Sequence, residues 1–243
     1  MRWFRRAQGK PGGQGPRHAF LHVGMPKTAT TTIQTSLARA RPKLKSDGVL
    51  YPGSEIDHAL LVAAFHQRGG THFRFTDAGE TVEAAEARAV QFVERMTREA
   101  ADFDGSLLLS TEYLFWMTDD ATRNLDAYFA GIGRTLRVVC YVRHPVASAT
   151  SLLNQEVKMG KKTLDDMLAD PPWHPPRPPL ERWMRVLGPD RVIVRGFEAA
   201  VKSGPTGDLL SSIGRPDLAD RVTEERANDS LSYAGMLLSD RMV

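Results

Sequence analysis

Four short apolar runs, each separated from the next by a stretch with helical spacing, constrain this chain more than any other feature. They lie at 19–23 (AFLHV), 106–110 (SLLLS), 136–142 (LRVVCYV) and 191–195 (RVIVR). Runs of this length bounded by turn residues read as strands buried on both faces. Strands separated by helices are joined by right-handed crossovers into a parallel sheet. The expected fold class is α/β, a three-layer α/β/α arrangement with a central parallel sheet and its ligand at the carboxyl ends of the strands.

The intervening segments supply the helices. Residues 30–44 carry Ile33, Leu37 and Leu44 on one face, with an end or kink expected near Arg41 because Pro42 follows. The spacing of Val82, Ala85, Ala89, Phe92, Met96 and Ala100 predicts an amphipathic helix over 80–101. Further helices are expected over 119–130, 145–159 and 180–187, a short one over 56–65, and a strand or turn over 49–52. The Pro-rich stretch 171–179 is expected not to be helical, and to serve as a lid or a stiff spacer.

The 243 residues, 42% hydrophobic and 25% charged, suffice for one domain with a full core and exclude disordered, collagen-like and membrane-spanning classes. Lys and Arg (32) nearly balance Asp and Glu (29), so anion binding must come from local placement, and a nucleic-acid polymer is not an expected partner. Residues 1–18, basic and rich in Gly and Pro, read as a flexible arm without a signal peptide; 19–243 read as a single domain with an abrupt, shortened C-terminal end, in the cytoplasm. Cys140, the single cysteine, falls within an apolar run and reads as an inert core thiol. No metal site is expected.

Three clusters fall at strand ends. The first is Gly24-Met25-Pro26-Lys27-Thr28-Ala29-Thr30-Thr31-Thr32, where an α/β protein binds phosphate with a helix N-terminus, an ammonium and hydroxyls. It is not a Walker A loop, because no glycine immediately precedes Lys27. The second is Tyr141-Val142-Arg143-His144-Pro145, with Ser151 eight residues after Arg143 on the next helix. The third is Glu112, just after the second strand.

The order Pro-Lys-Thr-x-Thr-Thr, followed by an Arg at a strand end and a Ser eight residues on, resembles the sulfotransferases that use 3′-phosphoadenosine-5′-phosphosulfate (PAPS). The resemblance runs from about Phe20 to Glu198 and includes the stretch Leu180-x-x-Trp183-x-x-Val186-Leu187-Gly188-x-Asp190-Arg191-Val192. It implies a P-loop NTPase-like sulfotransferase fold and an enzyme that moves a sulfuryl group in line from PAPS to a hydroxyl or amine of a carbohydrate or small metabolite, releasing 3′-phosphoadenosine-5′-phosphate (PAP). By resemblance, Pro26, Lys27, Thr28, Ala29, Thr30, Thr31 and Thr32 hold the 5′-phosphosulfate, Lys27 steadies the leaving group, and Arg143 and Ser151 grip the 3′-phosphate. The family commonly has Gly where Ala29 stands, and Asp or Asn where His144 stands.

Glu112 is the first candidate for the general base and His58 the second. His22 reads as a core histidine, and Arg195 as a structural partner of Glu198 or a nucleotide contact. Phe115 and Trp116 read as core or as pocket walls. A catalytically degenerate nucleotide-binding protein and a P-loop kinase are the competing readings. The segment 226–230 resembles a region of further family contacts without assigning roles.

Overall fold

The computed structural model describes residues 17–171 and 174–225. In chain order its elements are β1 (His18–His22), α1 (Thr30–Arg39), α2 (Arg41–Ser46), β2 (Val49–Leu50), α3 (Leu60–Phe65), α4 (Phe73–Thr76), α5 (Val82–Ala101), β3 (Ser106–Ser110), α6 (Asp119–Gly131), β4 (Thr135–Val142), α7 (Pro145–Lys158), α8 (Leu164–Ala169), α9 (Arg177–Leu187), β5 (Val192–Gly196), α10 (Phe197–Ser203) and α11 (Pro205–Ser212). The strands form one sheet in the order β2-β3-β1-β4-β5, and every neighbouring pair is parallel.

Side-chain alternation sorts the core into two layers. Ala19, Leu21 and Val23 of the first strand and its exit, with Leu107, Leu109, Leu136, Val138 and Cys140, pack against α3, α5, α6 and α9. Phe20, Leu108, Val139 and Tyr141 face the other way, against α1, α2, α10 and α11. The chain has the expected three-layer α/β/α architecture with β1 at the centre of the sheet. Cys140 is fully buried, and burial pushes its thiol up to about 12. Among the described residues, no helix is long and apolar enough to cross a membrane.

Two expectations are corrected. The sheet begins at His18, inside the segment expected to be a flexible arm, and Arg17 accepts a bond from the Thr135 N–H through its carbonyl at 2.9 Å. The end of the Pro-rich stretch is helical, because Arg177, Pro178 and Pro179 form the first turn of α9, where no intrahelical N–H is needed. The end or kink expected near Arg41 is present: the helical stretch over 30–44 breaks into α1 and α2, which meet at Ala40, two residues before Pro42. Residues 1–16, the Pro-rich loop positions 172–173, the segment 226–230 and the expected C-terminal end lie outside the described residues.

Candidate active site

The site is built where β1, β3 and β4 end side by side. Beyond β1 the pairing with β4 continues through Val23 N–H to the Val139 carbonyl (3.0 Å), Tyr141 N–H to the Gly24 carbonyl (2.7 Å) and Met25 N–H to the Tyr141 carbonyl (3.0 Å). The chain then turns into α1 through two left-handed non-glycine residues, Lys27 (φ 65°) and Ala29 (φ 57°). The Arg143 guanidinium donates to the Lys27 carbonyl at 2.8 Å, tying the turn to the end of β4. Thr28 is fully buried, and its hydroxyl donates to the Met25 carbonyl.

Glu112 enters from the short 3₁₀ turn after β3. A Cβ at Gly24 (φ 84°) would stand 3.2 Å from the Glu112 Cβ, so the left-handed backbone and the close approach of Glu112 both favour glycine there. The Thr30 hydroxyl, from the first turn of α1, donates to Glu112 Oε2. From α7, Gln155 Oε1 accepts a hydrogen bond from Lys27 Nζ at 2.8 Å.

These groups line one cavity of about 760 Å³. Its lining takes Pro26, Lys27, Ala29, Thr30, Thr31 and Thr32 from the turn and helix start, Arg143 from the end of β4, Ser151, Leu152, Asn154, Gln155 and Lys158 from α7, Met159 from just after it, Glu112, Tyr113 and Trp116 from the segment after β3, His72 and Phe73 from the start of α4, and Phe197 and Val201 from α10. Burial raises the Glu112 carboxyl above the usual carboxylate range, against the pull of the Thr30 bond and the Lys27 charge. Burial lowers the Lys27 ammonium, and Glu112 partly offsets the shift. The result is a carboxylate made more basic by its burial, beside the cationic Lys27 turn in a concave space.

Two expected site residues stand elsewhere. Thr28 does not line the cavity, its hydroxyl being spent on the turn itself. His58 is fully buried away from it: its Nδ1 accepts from the Ser110 N–H at 3.0 Å and its Nε2 lies 3.1 Å from the Pro52 carbonyl. Burial lowers this imidazole to about 4, so it is a packed, neutral residue rather than a base at the cavity. His22 is likewise a core residue, 2.8 Å from the Ser110 hydroxyl. Arg195 pairs with Asp208 rather than Glu198, whose carboxylate instead accepts from the His144 N–H at 2.8 Å. Phe115 is core, and Trp116 is a wall of the cavity.

Sequence reasoning passed over Asn154, Gln155 and Lys158, which lie three, four and seven residues after Ser151 and so share its face of α7. That spacing was the available signal. His72 and Phe73 had none, because α4 is a four-residue helix without a readable period.

No family model matches the sequence, and no curated protein matches it. Among solved structures, a sulfotransferase from Alicyclobacillus acidocaldarius superposes with a TM-score of 0.52 at 14% identity, covering 93% of this chain and 95% of that one. The sulfotransferase domain of the Synechococcus PCC 7002 olefin synthase gives a TM-score of 0.46 at 16% identity over 97% of this chain and 98% of that one. The sulfotransferase domain from the curacin biosynthetic pathway gives 0.45 at 15% identity over 84% and 76%. With its five-stranded parallel sheet covered by helices on both faces, this chain has the α/β fold of a sulfotransferase.

Proposed function

We propose that the protein is an enzyme that transfers a sulfuryl group from PAPS to a hydroxyl acceptor. The observation that supports this most directly is the convergence, in one cavity, of the Lys27 turn at the start of α1, the Arg143 and Ser151 pair, and the half-buried Glu112. The chemistry of the donor set fits a nucleotide with two separated phosphate groups: a lysine and helix N-terminus at one place, a guanidinium and a hydroxyl at another. Arg143 Nε is buried without a hydrogen-bond partner, as expected of a guanidinium that awaits an anion.

The bound donor supplies an electrophilic sulfur and a phosphate leaving group. Glu112 takes the acceptor's hydroxyl proton as the acceptor oxygen forms its bond to sulfur, and the electron pair of the breaking S–O bond stays on the bridging oxygen of PAP. Lys27 neutralises the charge that gathers on that oxygen, and Arg143 with Ser151 fixes the far end of the nucleotide. Gln155, which holds the Lys27 ammonium, orients it. The raised Glu112 carboxyl places the rising limb of the rate against pH above the ordinary carboxylate range.

Calorimetric titration with PAP and with ATP tests the reading. PAP is expected to bind at least tenfold more tightly than ATP, with a further loss of tenfold or more in Arg143→Ala. Glu112→Gln is expected to keep PAP affinity and lose about 10²- to 10⁴-fold in turnover, together with the rising pH limb. Equal binding of ATP would overturn the nucleotide assignment, and unchanged turnover in Glu112→Gln would remove that carboxylate as base.

A further inference from the structure

The threonines that follow Lys27 do not share one task. The Thr28 hydroxyl donates to the Met25 carbonyl and stays inside the turn. Thr31, the second residue of α1, is exposed and lines the cavity, and among the described residues its hydroxyl makes no hydrogen bond. Thr30, between them, is 5% exposed, and its hydroxyl crosses to the exit of β3 to donate to Glu112 Oε2.

The place of Thr30 in its helix explains that reach. Inside a helix a threonine hydroxyl commonly turns back onto the carbonyl one turn earlier. Thr30 is the first residue of α1, and the left-handed Ala29 precedes it, so no earlier helical turn offers an acceptor. Glu112 passes close by, its Cβ 3.2 Å from where a Cβ on Gly24 would stand. The Thr30 backbone N–H belongs to the first turn, for which a helix has no carbonyl, and it keeps that character whatever its side chain does.

Among the described residues, Thr30 is the one group that donates a hydrogen bond to the Glu112 carboxylate. Lys27 gives its ammonium hydrogen to Gln155 Oε1 instead. The charged and titratable groups around Glu112 are Lys27 of the turn, Asp57 from the segment before α3 and Tyr113 beside it, with His72, Arg143 and Lys158 also lining the cavity. The Asp57 carboxylate is committed to the Ala59 N–H at 2.9 Å. With Oε2 held, Oε1 is the oxygen left to take a proton, and the two cannot exchange by rotation without breaking the Thr30 bond.

We propose that Thr30 is a positioning residue for the general base and not a side-chain ligand of the donor: its hydroxyl fixes Glu112 through Oε2 and leaves Oε1 to take the acceptor's proton, while the Thr31 hydroxyl serves the 5′-phosphate group. The proposal rests on the sulfuryl-transfer reading given above. A hydrogen bond to the ionised form favours that form, so Thr30 also restrains the rise that burial imposes on the Glu112 carboxyl.

The test sets Thr30→Val against Thr31→Val, with two measurements on each. One is the titration of Glu112, followed by carbon-13 NMR in protein labelled at the glutamate side-chain carboxyls and assigned with Glu112→Gln. The other is calorimetric titration with PAP, which requires no knowledge of the acceptor. Thr30→Val is expected to raise the Glu112 midpoint by about one pH unit and to keep PAP affinity within about twofold. Thr31→Val is expected to do the reverse, weakening PAP about fivefold or more and leaving the midpoint in place. Thr30→Ser restores the wild-type midpoint, and Thr30→Ala repeats the valine result should valine crowd the turn. A tenfold loss of PAP affinity in Thr30→Val and Thr30→Ala with an unmoved Glu112 midpoint overturns the proposal, because the hydroxyl then serves the donor, while the nucleotide reading stands. Failure of PAP to bind the wild-type protein marks the failure of the nucleotide reading instead, and the role given to Thr30 falls with it.

Discussion

Ala29 shows how a single residue carries both the resemblance to an enzyme family and a departure from it. It is the N-cap of α1, its φ is 57°, and it has no side chain with which to accept a first-turn N–H. An L residue in left-handed backbone costs roughly 1–2 kcal/mol, and glycine avoids most of this at the expense of a more mobile unfolded chain. Ala29→Gly is therefore expected to stabilise the protein by about 1 kcal/mol, read as a higher midpoint in urea at an unchanged slope. A lower midpoint would show that the turn bears no strain at this position. The conformational demand was legible in the sequence, since the Pro-Lys-Thr-x-Thr-Thr order carried with it a position usually filled by glycine. That Lys27 is also left-handed was not, because nothing local announces a lysine with φ 65°. What holds it is distant: Arg143 on its carbonyl and Gln155 on its ammonium, more than a hundred residues away in the chain.

Elements with several turns of regular spacing were readable, and α5 (Val82–Ala101) lies within two residues of its expected bounds because six apolar positions fix its buried face. Short elements were not. The helices α4, α8, α10 and α11 contain four to eight residues, too few to establish a period, and α4 brings Phe73 to the cavity unannounced. The helix α9 is instructive for a different reason: its prolines argue against a helix, yet they sit where the first turn tolerates them, and the rest of the element is fastened by packing. Trp183 is 1% exposed and donates to the Phe115 carbonyl at 3.3 Å, while Arg185 forks onto Asp119 at the start of α6. Trp183→Ala empties a large volume between α9 and the sheet and is expected to destabilise the fold by about 3–5 kcal/mol in chemical denaturation. A change below about 1 kcal/mol would mean that α9 is not docked through this ring.

For the molecule as a whole, two neutral imidazoles converge on Ser110 at the end of the central strands. The His22 ring lies 2.8 Å from its hydroxyl, and His58 Nδ1 accepts its N–H at 3.0 Å. Burial lowers His22 to about 3 and His58 to about 4, both from an ordinary 6.5. Because the folded values lie below the unfolded one, the stability these residues contribute is fully present above pH 6.5 and is lost as pH falls towards 4. Unfolding free energy is expected to drop by about 2 kcal/mol per histidine between pH 7.5 and pH 5. His58→Gln, which can keep an acceptor for Ser110 and a donor for Pro52, should flatten part of that slope. An unchanged slope in the variant would show that His58 is not the group being titrated.

The sheet order carries a consequence for synthesis. The central strand β1 is made first, yet its partners are registered at Leu107 on one side and Leu136 on the other. As the chain leaves the ribosome, the apolar run from Ala19 to Val23 has no partner in the register above until α1 to α5 have been made. The turn at Lys27 has no clamp until Arg143 emerges. Loop closure over such separations is the slow part of assembling parallel sheets. The turn at Lys27, written near the beginning of the message, is among the last parts of the protein to take shape.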